Sequence, residues 1–250
     1  MQAPILAANW KMQLDIAESA ALAKKIANEL PRGNGTVILC PTVAAMPAVS
    51  LAVSGREDIL LGAQDCHNQT KGTFTGATSP AVVAELGCTY VIVGHSERRQ
   101  LFGETDEVVA AKVAAAVAQG LIPILCVGET ADERKKGESE TVVTRQLTTA
   151  LASVPPEAPC IVAYEPLWAI SHGAPHPATK AEVTPILKQI TTLLEKRSAT
   201  PVLYGGSVLP DNVQEFVTPD AFAGALIGGA SLTVESFLGI VATARRTYAI

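Results

Sequence analysis

Eight short apolar runs punctuate this chain: "PILAANW", "TVILC", "DILLGA", "TYVIVG", "LIPILCVG", "CIVAYEP", "PVLYGG" and "FAGALIGG". Their regular recurrence narrows the fold more than any other feature. They show little of the apolar–polar alternation of a strand with one face in water. Strands that are apolar throughout are buried on both faces, as in a parallel sheet sheathed by helices. Helical spacing follows the runs. After the first, "DIAESAALAKKIANEL" puts Ile16, Ala20, Ala23 and Ile26/Ala27 on one face, with Asp15 as N-cap and Pro31 and Gly33 closing the helix. "DEVVAAKVAAAVAQG" is expected to be capped by Asp106 and stopped by Gly120; "SETVVTRQLTTALASV" begins at Ser139 and ends before Pro155.

Strand–helix units of about 30 residues each predict an α/β fold, a closed (β/α)8 barrel, here as a single domain over residues 1–250. A doubly wound open sheet is the rival; it would bind its ligand at one switch point beside one glycine fingerprint. Here polar and glycine residues cluster at the C-terminal ends of several runs: Asn9, Lys11, His95, Glu165, Gly205 to Ser207, Gly228 and Gly229. A barrel assembles its site from loops at those ends.

Composition closes off other classes. Hydrophobic residues at 48% suffice for a large core, and aromatics at 4% make that core aliphatic. A net charge of −5 argues against a nucleic-acid surface, so any bound anion must be met by local positive charge. "MQAPILAANWKM" has no basic n-region followed by a long apolar stretch, and no run approaches a membrane helix. Five cysteines without a CxxC argue against a disulfide framework or zinc knuckle, and point to buried thiols in a reducing cytoplasm. His172 and His176 have the spacing of metal ligands on a helix, but Pro175 and Pro177 forbid that helix, so no metal site is expected.

Each candidate has a bland reading. Lys11 could be a solvated surface charge; at a strand's end it also supplies the concentrated cation an anion needs. His95 could be a satisfied structural residue. It precedes "SERR", which reads as the start of a short helix, and a helix N-terminus disfavours imidazolium; a neutral ring donates to a carbonyl oxygen and takes a proton back. Glu97, two residues on, can pair with Lys11 or with arginines, and a purely structural ion pair reads as well as a functional one. Glu165 ends a buried run. Unpaired buried carboxylates are costly, so it needs either a cationic partner or a catalytic task; a carboxylate becomes a stronger base as water leaves it. The glycine pairs after the seventh and eighth runs could be plain turns. Together, at the last two strand ends, they form a phosphate cradle of backbone N–H groups.

"ANWKM", "GHSERR", "AYEPLWAI", "YGGSV" and "LIGGASL", in order along the chain, resemble triosephosphate isomerase, whose fold is the TIM barrel. The resemblance implies interconversion of dihydroxyacetone phosphate and D-glyceraldehyde 3-phosphate through an enediolate, in glycolysis and gluconeogenesis, without cofactor or metal. It implies Glu165 as the base, neutral His95 as the electrophile and proton shuttle, and Lys11 as the cation on the substrate with Asn9 beside it; Glu97 takes an unspecified catalytic role. Ser171, Ser207, Gly228 and Gly229 fall where the family binds phosphate, and the segment after Pro166 becomes a lid. It also implies a homodimer through "GAQDCHNQTKGTFTGATSP", with Thr75 near the neighbouring subunit's lysine; a surface loop is the bland alternative.

The lid departs from the family. Residues 171–177, Ser-His-Gly-Ala-Pro-His-Pro, make a longer, proline-stiffened segment, and Ser171 replaces a glycine. Gln13, Ala223 and Ala77-Thr78 also differ from the usual pattern. None removes a proposed catalytic side chain. The rival functions are another phosphate-binding barrel enzyme, such as a sugar-phosphate epimerase, and a non-catalytic phosphometabolite-binding barrel with an impaired lid.

Overall fold

The structure, a computed structural model, describes residues 3–170, 177–197 and 199–248. Its strands are β1 Ile5–Asn9, β2 Thr36–Cys40, β3 Ile59–Ala63, β4 Tyr90–Val93, β5 Ile122–Val127, β6 Ile161–Tyr164, β7 Val202–Tyr204 and β8 Gly224–Ile227. Each lies inside one of the eight apolar runs. Neighbours pair in parallel around a closed barrel, and β8 returns to β1 with Ala225 opposite Leu6. The open-sheet rival is thereby excluded.

The helices are α1 Ile16–Glu29, α2 Met46–Ala52, α3 Pro80–Glu85, α4 Ser96–Leu101, α5 Asp106–Ala118, α6 Ala131–Lys135, α7 Ser139–Leu151, α8 Lys180–Leu193, α9 Val213–Phe216 and α10 Val234–Thr247. Strand alternation splits the apolar residues in two. Ala7, Ile38, Ile92, Ile124, Ala163, Leu203 and Leu226 fill the barrel interior. Their neighbours Leu6, Leu39, Val91, Leu125 and Val162 point outward into the layer beneath the helices. These side chains fill the interior, and the cavity lined by the strand-end residues opens at the C-terminal ends of the strands.

Two helix readings are corrected. The buried stripe of α1 is Ser19, Leu22, Ala23 and Ile26, and Ile16 is exposed. Asp15 does cap it, in a capping box with Glu18. In an alanine-rich helix the apolar face is broad, so small alanines leave its rotation to what packs against it. The N-cap of α5 is Thr105, whose hydroxyl accepts from Val108 N–H; Asp106 sits one position further in. Its carboxylate instead joins Arg99 at 2.6 Å and Arg145 at 2.8 Å.

All five cysteines are free and buried. Burial pushes the thiols of Cys66, Cys88 and Cys160 up to about 12, so none is a thiolate at neutral pH. No described helix is long and apolar enough to cross a membrane.

Candidate functional site

A cavity of about 380 Å³ opens at the C-terminal ends of the strands. Asn9, Lys11, His95, Glu97, Glu165, Ser207, Gly228 and Gly229 all line it. Ser171 lies outside the described residues, as do the other lid residues through His176.

Lys11 follows β1 with φ of +51°, the one positive φ among described non-glycine residues. A left-handed lysine costs of order 1–3 kcal/mol and persists only where its surroundings hold it. Asn9 Oδ1 accepts the Lys11 N–H at 3.1 Å, and Gln64 Nε2 donates to the Lys11 carbonyl at 2.7 Å and to that of Cys40 at 2.9 Å. The turn so held aims the ammonium across the barrel mouth to Glu97 Oε1, 2.7 Å away. Glu97 is therefore the ion-pair partner of Lys11.

His95 caps α4. Its Nδ1 accepts the N–H of Glu97 at 3.2 Å, so the ring proton belongs on Nε2. That nitrogen is 3.1 Å from Glu165 Oε1. The other carboxylate oxygen, Oε2, accepts the Ser96 N–H at 2.8 Å. Glu165 is 2% exposed, and among the described residues no lysine or arginine pairs with it. The cationic partner that a structural role requires is not there; two N–H donors at the start of α4 hold the carboxylate instead.

The backbone comes equally close. A Cβ at Gly128 would sit 1.8 Å from the Glu165 carbonyl oxygen, and one at Gly205 would sit 2.9 Å from Glu165 Cγ. Only glycine at these two positions lets β6 deliver its terminal carboxylate into the mouth. Below it lies Cys126, fully buried, its thiol raised well above its usual range by burial first and by the Glu165 charge second.

The far wall carries backbone donors. The N–H groups of Gly228 and Gly229 donate to no acceptor among the described residues. Gly229 opens a single 3-10 turn, and a Cβ there would meet nothing within 4 Å. Ser207 Oγ donates to the carbonyl of Ala169 at 3.1 Å, tying this wall to the segment that begins the lid.

Sequence reasoning missed Gln64 and Glu129. Both stand at or just beyond the C-terminal end of a strand, the same signal that marked the others. Glu129 is fully buried, accepts from Trp168 Nε1 at 2.7 Å and receives Tyr164 OH at 3.1 Å. Burial pushes its carboxyl above the usual carboxylate range against those donors. Arg134 covers Trp168, its guanidinium carbon 3.7 Å from the ring centroid. Trp168, just after β6, is thus tied to Glu129 beyond β5 and to α6 through Arg134. Glu129→Leu leaves Trp168 Nε1–H and the Tyr164 hydroxyl without their buried acceptor. Its expected cost is about 1–3 kcal/mol, read by thermal or urea denaturation; unchanged stability would show that the tether carries nothing.

A family model described as triosephosphate isomerase matches residues 4–244. The triosephosphate isomerase of Roseiflexus sp. (strain RS-1) is 45% identical over 250 residues, covering 96% of this chain and 97% of that protein. That of Roseiflexus castenholzii (strain DSM 13941 / HLO8) is 44% identical, covering 96% and 97%. That of Pelobacter propionicus (strain DSM 2379 / NBRC 103807 / OttBd1) is 44% identical, covering 96% and 98%.

Proposed function

Because the chain belongs to the triosephosphate isomerase family, and so interconverts dihydroxyacetone phosphate and D-glyceraldehyde 3-phosphate, we propose that Glu165, His95, Lys11 and Glu97 carry the reaction on this scaffold. Residues 1–250 act as one catalytic domain.

The observation that carries the site assignment is the meeting of Glu165 with His95 Nε2 at 3.1 Å, in a cavity that Lys11 also lines. The substrate's phosphate takes the wall of Ser207, Gly228 and Gly229. Ser171, outside the described residues, is the remaining phosphate-binding candidate. The carbonyl oxygen then competes for His95 Nε2–H and for the ammonium of Lys11. As that donor turns to the substrate, Glu165 is released to face the carbon beside the carbonyl. It takes the C–H proton, and the electron pair moves into the enediolate, whose oxygens lie against the imidazole and the ammonium. His95 passes a proton from one oxygen to the other, and Glu165 returns its proton to the adjacent carbon. Atoms and charge balance without a cofactor or metal. Glu97 holds Lys11 in place between turnovers, and Asn9 holds its backbone. Preorganised donors of this kind are commonly worth about 10² to 10³ in rate each.

A coupled assay with D-glyceraldehyde 3-phosphate tests the reading. Turnover that falls on replacing Glu165 or His95 supports it. Ligand binding without turnover would instead fit a phosphometabolite-binding barrel, a reading that nothing in the fold or the family match favours.

The same proposal includes a homodimer. The loop from 64 to 79 is closed at its base by His67 N–H to Thr78 O at 2.8 Å, and Thr75 stands exposed on it beside the His67 and Phe74 rings, which meet at a tilt of 38°. A second cavity of about 540 Å³ leads from Lys11 and Glu97 past Gln64 to Phe102. Met12, Leu101 and Phe102 are exposed large apolar residues on this side. The loop of a second copy fills that cavity. Thr75→Arg is expected to shift the sedimenting species to monomer and to lower kcat; a wild-type chain that is monomeric and fully active would overturn the dimer. The cytoplasm is the proposed location, on the five free buried thiols.

A further inference from the structure

The opposite end of the barrel carries a second positive site. Five of the chain's nine arginines, at 56, 98, 99, 134 and 145, form ion pairs with carboxylates. Of the four that do not among the described residues, three line one cavity of about 710 Å³: Arg32, Arg245 and Arg246. Among the described residues no carboxylate lines it. It lies beside the N-terminal ends of β1 and β2, between the α1–β2 loop and the C-terminal helix α10, away from the catalytic mouth.

The partners of these three guanidinium groups are weak or neutral. Arg245 Nη1 donates to the carbonyl of Pro31 at 2.6 Å, and its Nη2 is buried with no hydrogen-bond partner. Arg246 Nη2 donates to the Thr243 hydroxyl at 2.9 Å, and Arg32 Nη2 to the Gly55 carbonyl at 3.3 Å. Burial lowers the Arg245 guanidinium from its ordinary value, with Arg56 adding to this and the charge of Asp58 opposing it. Asp58 is already committed. Arg56 binds both its oxygens at 2.8 Å, and that hydrogen-bonded clamp holds its carboxyl down to about 2. The loop across the cavity is "PRGNG". The N–H groups of Arg32, Gly33, Asn34 and Gly35 donate to no acceptor among the described residues. Gly33 has no side chain where a Cβ would sit 3.1 Å from Arg245 Nη1, which leaves loop amides and guanidinium side by side.

We propose that this cavity is a second anion site, taking a small phosphorylated ligand at the barrel's N-terminal end. Three cations with planar, forked donors and a run of unused backbone amides are the donor set that a multivalent phosphate recognises. In a chain of net charge −5, such a concentration without acids is a local exception. A bound phosphate would pin the α1–β2 loop to α10 and stabilise the folded barrel by mass action.

The test is a titration of the full chain with inorganic pyrophosphate, followed by calorimetry and by thermal denaturation. The wild type is expected to show two sites, one in each cavity, and a rise in Tm that saturates. Arg32→Ala/Arg246→Ala removes two exposed guanidiniums, and surface changes of this kind usually alter stability by no more than about 0.5 kcal/mol. The double variant should keep kcat and KM, lose the second site by at least about tenfold in affinity, a difference of about 1.4 kcal/mol, and lose the corresponding part of the Tm rise. A single site in the wild type, or a second site that the double variant leaves intact, overturns the proposal. So does a second site abolished at an ionic strength of about 0.15 M, where surface charge is screened over about 8 Å. Turnover is not needed for any of these readings, so a failure of the catalytic assignment would be seen separately.

Discussion

Glu165→Asp is expected to lower kcat by about 10²-fold or more while leaving KM within a few-fold of the wild type. The carboxylate keeps its charge and chemistry and is withdrawn by one methylene, about 1 Å, a misplacement that typically costs that factor in rate. The backbone cannot follow to compensate. Glu165 N–H is fixed to the Val127 carbonyl at 2.8 Å, and the next strand presses on its side chain through Gly205. On the proposed assignment, substrate affinity rests mainly on Ser207, Gly228, Gly229 and Lys11, which the substitution leaves in place. The shortened side chain also falls short of Ser96 N–H and His95 Nε2, now 2.8 and 3.1 Å away, so the free enzyme loses two hydrogen bonds that the substrate complex does not use. Steady-state kinetics in both directions read the result. A variant with wild-type kcat would remove Glu165 from the proton transfer.

The strands were legible because each is apolar on both faces, a pattern that only a buried parallel sheet requires; β1 to β8 all fall within the quoted runs. The rotation of α1 was not legible, because the expected face of Ile16, Ala20, Ala23 and Ile26/Ala27 and the buried face of Ser19, Leu22, Ala23 and Ile26 overlap at Ala23 and Ile26 and both fit a helical stripe, and only the neighbouring layer selects between them. Asp106 looked like a cap because it is acidic and stands first in the helix. The hydroxyl one residue earlier does that work, and the carboxylate goes to two arginines that lie 7 and 39 residues away in sequence. Distance along the chain is the general obstacle. Glu97 and Lys11 are 86 residues apart, and nothing local says that one will reach the other. Lys11, His95 and Glu165 could be singled out because strand ends converge in a barrel and because their motifs match a family. Gln64 and Glu129 share the strand-end position but touch backbone or hinge, and the rule that found the others did not ask what orients them.

Lys11→Met is expected to lower kcat/KM by at least about 10² to 10³-fold, the scale for one preorganised donor at a developing oxyanion, while changing stability little. The two effects separate cleanly here. The side chains of Lys11 and Glu97 are 25% and 42% exposed, and pairs this open to water contribute about 0–1 kcal/mol. Glu97, itself open to water, carries no large burial cost when Lys11 is replaced. Methionine has similar length and meets the same demand at φ +51°, so the strained turn is neither relieved nor worsened. Asn9 and Gln64 still hold its N–H and carbonyl. What disappears is one positive charge facing the phosphate wall of a net-acidic protein, so KM should rise and kcat fall together. If Lys11 were only a structural ion pair, its loss would change stability by no more than about 1 kcal/mol and leave the kinetics at the wild-type level. Collapsed turnover, with stability changed as little, is the pattern this geometry requires.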